Sequence, residues 1–119
     1  MIMPGWPVVG VVAAGGALGA AARYAVAVAW PGPWTTVVIN VAGCLAIGAV
    51  LARIADRPLL RPFVATGVLG GFTTFSTFAM QSLELGDPVY VGVTVAGSLG
   101  AAWLGQRIFR KPTGPPGYA

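Results

Sequence analysis

Residues 67–78 read Gly67-Val68-Leu69-Gly70-Gly71-Phe72-Thr73-Thr74-Phe75-Ser76-Thr77-Phe78, and this stretch decides the fold. It lies inside an apolar run from about Pro62 to Leu83, long enough to cross a bilayer. The adjacent glycines weaken any helix there, because glycine loses the most backbone freedom on ordering. Four hydroxyl residues and three phenylalanines then fall within seven positions. Two accounts are open. The hydroxyls bond back to their own helix while Phe72, Phe75 and Phe78 pack at ordinary i, i+3 spacing. Alternatively the helix is broken near its middle, and irregular backbone lines a pathway enclosed by protein.

Outward from this run the same pattern recurs. Apolar stretches cover about 6–29, 34–52, 62–83 and 89–108. Trp30-Pro31-Gly32-Pro33 ends the first, the polar segment Arg53 to Arg61 ends the second, and Glu84-Leu85-Gly86-Asp87-Pro88 ends the third. Each spans the hydrocarbon core of about 30 Å as a helix. Strands of a membrane barrel would alternate in polarity about every 10 residues, which these stretches do not. The expected fold is an all-α membrane protein, one domain over 1–111 with four transmembrane helices and the third broken near its middle. A Pro/Gly-rich tail over 112–119 is expected to be disordered. No basic residue precedes the first run, and it exceeds a signal-peptide core in length, so it is expected to be retained as a span.

Composition supports the membrane class. Of 119 residues, 56% are hydrophobic and 8% charged, and the mean hydropathy is +0.80. That leaves too few charges to coat a water-facing globule. There is no histidine, one cysteine (Cys44), and only three carboxylates, Asp56, Glu84 and Asp87. Histidine-based triads and His- or Cys-caged metals cannot be assembled from this set, so an enzyme is not expected. Seven basic residues scattered through apolar sequence make no nucleic-acid face. Arg53, Arg57 and Arg61 lie in the second loop and Arg107, Arg110 and Lys111 in the tail, whereas the first and third loops carry none. With four spans these six cations share one side, which the positive-inside rule makes cytoplasmic.

Several side chains inside the spans could carry chemistry. Asn40 is the only carboxamide of the second span, serving either helix–helix bonding or a pathway; Thr36 lies one turn before it. Tyr90, Thr94 and Ser98 recur at i, i+4, i+8 as one polar stripe on the fourth span. Arg23 lies past the middle of the first span, where it either snorkels to the interface or faces protein or water. Gly15-x-x-x-Gly19 and Gly97-x-x-x-Ala101 let backbones approach closely. Phenylalanine edges carry partial positive charge and suit a small anion, and carbonyls freed by a helix break suit a hard cation such as Na⁺. Little interior fits within four such helices, so a pathway calls for more than one copy.

Together these residues resemble the Fluc (CrcB) family of fluoride channels. The resemblance covers nearly the whole chain: Gly15-Gly16-x-x-Gly19-Ala20-x-x-Arg23-Tyr24, Asn40 followed by Gly43, and above all Gly70-Gly71-Phe72-Thr73-Thr74-Phe75-Ser76-Thr77-Phe78. It implies an antiparallel dual-topology homodimer with two pores, multi-pass in the plasma (inner) membrane, exporting cytoplasmic fluoride passively and relieving its toxicity. It implies that Phe75 and Phe78 are pore phenylalanines and Asn40 the pore amide, with Thr36, Tyr90, Thr94 and Ser98 along the polar track and Arg23 near the aqueous vestibule. It further implies a structural Na⁺ at the centre of the dimer interface, held by the backbone carbonyls of Gly70 and Thr73.

One feature departs from the family pattern. Dual insertion favours a weak charge bias, yet six cations lie on one side, which raises pairing with an oppositely oriented paralogue as the alternative to a homodimer. A small dimeric multidrug exporter would need an intramembrane carboxylate, and the spans hold none. A non-transporting assembly subunit would account for the small-residue faces but not for the Phe/Thr/Ser segment.

Overall fold

Apolar helices need caps and breakers to end where the bilayer does, and the chain supplies both. In a computed structural model, residues 5–111 are described, so the tail over 112–119 lies outside them. Helix α1 runs Trp6–Ala29, α2 Pro33–Ile54, a π-helical segment Pro62–Leu69, α3 Gly70–Phe72, α4 Phe75–Leu85 and α5 Pro88–Phe109. Proline stands in the first turn of α1, α2 and α5, where its missing N–H costs nothing. Asp87 caps α5 by accepting from the Val89 amide at 2.9 Å. Gly86 closes α4 in the left-handed region (φ 59°), its N–H donating to the Ser82 carbonyl. At the first turn Gly32 takes φ 128°, and the Thr35 hydroxyl donates to the Trp30 carbonyl.

Four stretches, Trp6–Ala29, Pro33–Ile54, Pro62–Leu85 and Pro88–Phe109, are long and apolar enough to cross a membrane. The first matches the expected span, and the other three extend theirs by one or two residues at their ends. Between 11% and 28% of the apolar 18-residue window of each span is buried within the chain, so most of its apolar surface is left uncovered by the chain itself.

Two helix pairs make the bundle. Helix α2 lies along α5, and α1 lies along the segment from Pro62 to Phe72. Both contacts are backbone to backbone, and glycine makes them possible. A Cβ at Gly19 would run into the Val68 carbonyl, one at Gly71 into Gly16, one at Gly48 into the Ala102 carbonyl and one at Gly105 into the Leu45 carbonyl. The Gly15/Gly19 and Gly97/Ala101 faces thus serve packing, and Gly48 and Gly105 extend the second of them.

The stretch Pro62–Leu69 winds with i→i+5 bonds, where an ordinary α-helix is expected from its sequence. The wider turn sets Phe63 and Val68 on one side, and both reach the point where a Gly15 Cβ would stand. Close apposition to α1 therefore accompanies the wider winding.

Between α3 and α4 the backbone is extended at Thr73 (φ −74°, ψ 156°) and Thr74 (φ −144°, ψ 122°). Gly70 itself is helical (φ −63°, ψ −39°). The weak point expected at the glycine pair thus falls two to three residues later. Glycine 71 instead provides close approach to α1.

Candidate functional site

Extended backbone inside a membrane leaves amides and carbonyls that need partners. The side chain of Asn40 supplies them for Thr74. Its Oδ1 accepts from the Thr74 amide at 2.7 Å and its Nδ2 donates to the Thr74 carbonyl at 2.8 Å. Both residues are buried. The carboxamide thus acts like one rung of a β-ladder, and one Nδ2–H remains free to donate. The Thr74 hydroxyl caps α4 by accepting from the Thr77 amide at 3.2 Å. Thr73, though extended, donates its hydroxyl back to the Leu69 carbonyl of the preceding turn at 3.1 Å.

A groove of about 310 Å³ opens beside this pair, lined by Asn40, Thr74, Phe75, Phe78, Thr94 and Ser98 among others. The rings of Phe75 and Phe78 lie 5.9 Å apart and tilted by 57°. Phe78 stacks on Tyr90 at 5.8 Å, and Trp34 meets Tyr90 edge-on at 6.0 Å. Phe75 projects outward, 78% exposed in the single chain.

The polar stripe of α5 divides its duties. The Tyr90 hydroxyl donates to Gln81 Oε1 at 2.9 Å, and the Thr94 hydroxyl donates to the Tyr90 carbonyl at 2.8 Å. Ser98 Oγ is buried and has no partner among the described residues. The donors left for a ligand in this groove are therefore the second Nδ2–H of Asn40, the Ser98 hydroxyl and the phenylalanine edges.

Thr36 does not line this groove, although its side chain is within reach of Tyr90. It lines a second groove of about 410 Å³ with Arg23, Tyr24, Ile39, Thr74 and Thr77. Although Thr36 and Asn40 are one turn apart on α2, they line different grooves, and Thr74 borders both. The Arg23 Nε is buried without a partner among the described residues. Gln81 was not singled out by the sequence. Its position three residues past Phe78 in the Phe72, Phe75, Phe78 register was the available signal.

Among the described residues no cluster of three or more His, Cys, Asp or Glu could hold a metal. A hard cation here would be held by neutral oxygens, those of the backbone, hydroxyls or carboxamides. The Thr74 amide is taken by Asn40, which leaves the Gly70 carbonyl only a 3.5 Å contact from the Thr73 hydroxyl.

Four membrane-length helices, with an uncharged, largely apolar groove that carries a few polar groups, define a multi-pass membrane protein of the transporter or channel kind. The family model for CrcB-like protein, Camphor Resistance (CrcB), matches residues 10–106, and the chain belongs to that family. It is 47% identical to fluoride-specific ion channel FluC 1 of Streptomyces coelicolor, over 90% of this chain and 82% of that protein. It is 48% identical to FluC 1 of Rhodococcus jostii over 82% of each chain. Fluoride-specific ion channel FluC of Paracoccus denitrificans is 45% identical over 78% of this chain and 81% of its own.

Proposed function

We propose that this chain is a fluoride-selective channel that lets cytoplasmic fluoride leave passively across the cell membrane. The observation that carries this is the groove beside Thr74, where neutral donors and ring edges converge and no fixed charge lies among the lining residues. Fluoride is small and strongly hydrated, so dehydration is the barrier. Asn40 and Ser98 donors with the Phe75 and Phe78 edges replace water, and the lack of a cation there keeps the ion from being held too tightly. Arg23, in the second groove, draws anions toward Thr36 and Thr77.

In this proposal the third span is broken at Thr73 and Thr74, and their extended dihedrals support it. Two chains pair in antiparallel orientation. The outward projection of Phe75 supports pairing, because its ring completes a pore wall only when a second copy covers it. A structural Na⁺ at the centre of the dimer would be held by the Gly70 and Thr73 carbonyls of both chains. The under-bonded Gly70 oxygen and the ψ of Thr73, which turns its carbonyl out of the helix, fit a hard cation. Such an ion supplies charge compensation for converging carbonyls and no chemistry of its own.

Fluoride efflux from proteoliposomes, followed with an electrode, tests the function. Rapid efflux from purified chain is expected; absence of efflux from well-folded dimers would reject a channel. The multidrug alternative is disfavoured by the placement of Asp56, Glu84 and Asp87 in loops and at helix ends.

A further inference from the structure

We propose that the C-terminal end of α5 holds the phosphate of an anionic phospholipid headgroup, seated on Trp103, Arg107 and Arg110. A groove of about 250 Å³ is lined by these three residues and Gln106. The Arg107 guanidinium lies over the Trp103 ring, 5.5 Å from its centroid. Cation–π contact of this kind restrains the guanidinium, whose several N–H groups suit bidentate contact with phosphate oxygens. Arg110 adds a second cation one turn away, and Gln106 adds an amide donor.

The surroundings reinforce the match. The register that sets Gly48 against Ala102 and Gln106 brings Arg53 level with Arg107 to Arg110. With Arg57, Arg61 and Lys111, six of the seven cations gather at this end, and Asp56 is the only carboxylate among them. Positive-inside insertion asks only for an excess of Lys and Arg; an arginine held over an exposed indole is a more specific arrangement. Leu104 and Ile108 are exposed beside it on α5 and offer apolar surface for an acyl chain, which a free phosphate would not use. Tryptophan at this depth fits the headgroup level.

The test uses the full-length chain in neutral detergent, titrated with phosphatidylglycerol, phosphatidylcholine or inorganic phosphate and read by native mass spectrometry and thermal stability. Phosphatidylglycerol is expected to bind at least about tenfold more tightly than phosphatidylcholine. Arg107→Gln with Arg110→Gln should weaken it about tenfold or more, and the equal charge loss of Arg57→Gln with Arg61→Gln less than about threefold. Arg107→Lys, which keeps charge but not the planar fork, should fall between. Equal losses in the two double variants would show diffuse attraction and overturn the site. So would equal binding of the two lipids, or displacement of phosphatidylglycerol by inorganic phosphate.

Discussion

Asn40 and Thr74, thirty-four positions apart, exchange two hydrogen bonds in which a side-chain amide replaces a backbone partner. This ties α2 to the point where the third span leaves helical geometry. The extended backbone persists in an apolar setting because its amide and carbonyl are both satisfied there.

Replacing Asn40 with Asp should abolish fluoride flux. The substituted carboxylate still accepts from the Thr74 amide, but its other oxygen faces the Thr74 carbonyl, and its charge repels the anion. Asn40→Ala should lower stability by about 1–3 kcal/mol, since it orphans two buried groups. Efflux assays and thermal unfolding check these outcomes; normal flux in Asn40→Asp would remove Asn40 from the pathway.

Phe75→Ile and Phe78→Ile should each cut flux about tenfold or more, since a branched alkyl lacks the positive ring edge. Stability separates them. Phe78 stacks on buried Tyr90, so its replacement should also lower the unfolding temperature, whereas exposed Phe75 should not cost fold stability within the chain. Unaltered efflux in both would assign the rings to packing.

Ser98→Ala should slow efflux while leaving the unfolding temperature nearly unchanged. Its hydroxyl is buried and has no partner among the described residues, so its removal orphans nothing there. A large drop in stability with normal efflux would contradict a role facing the ion.

Gly19→Ala should destabilise by about 1–3 kcal/mol, because the added methyl meets main-chain atoms of Val68 and Phe72 that cannot swing aside. Gly10→Ala is the control: nothing lies within 4 Å of its would-be Cβ, so the better helix former should be neutral or stabilising. Thermal unfolding in detergent compares the two.

Cysteines placed at both ends of a Cys44→Ser chain should label from both faces of intact cells if the chain inserts in both orientations. Labelling from one face only would point to pairing with an oppositely oriented paralogue. The gathering of six cations at one end makes this measurement decisive.

The sequence by itself determined the class. Four apolar stretches of bilayer length, prolines and glycines at their ends, and one-sided basic loops follow from desolvation and backbone hydrogen bonding, which are local and periodic. The phenylalanines and hydroxyls of residues 72–78 were legible for the same reason. Only the tertiary structure decided that Thr73 and Thr74, rather than the glycine pair, leave the helix, because an amide from α2 is what satisfies the extended backbone. It alone set Asn40 and Thr36 along different grooves that Thr74 borders, and brought Gln81 to the Tyr90 hydroxyl. Such pairings depend on how helices distant in sequence lie against one another, and no spacing within one helix encodes them.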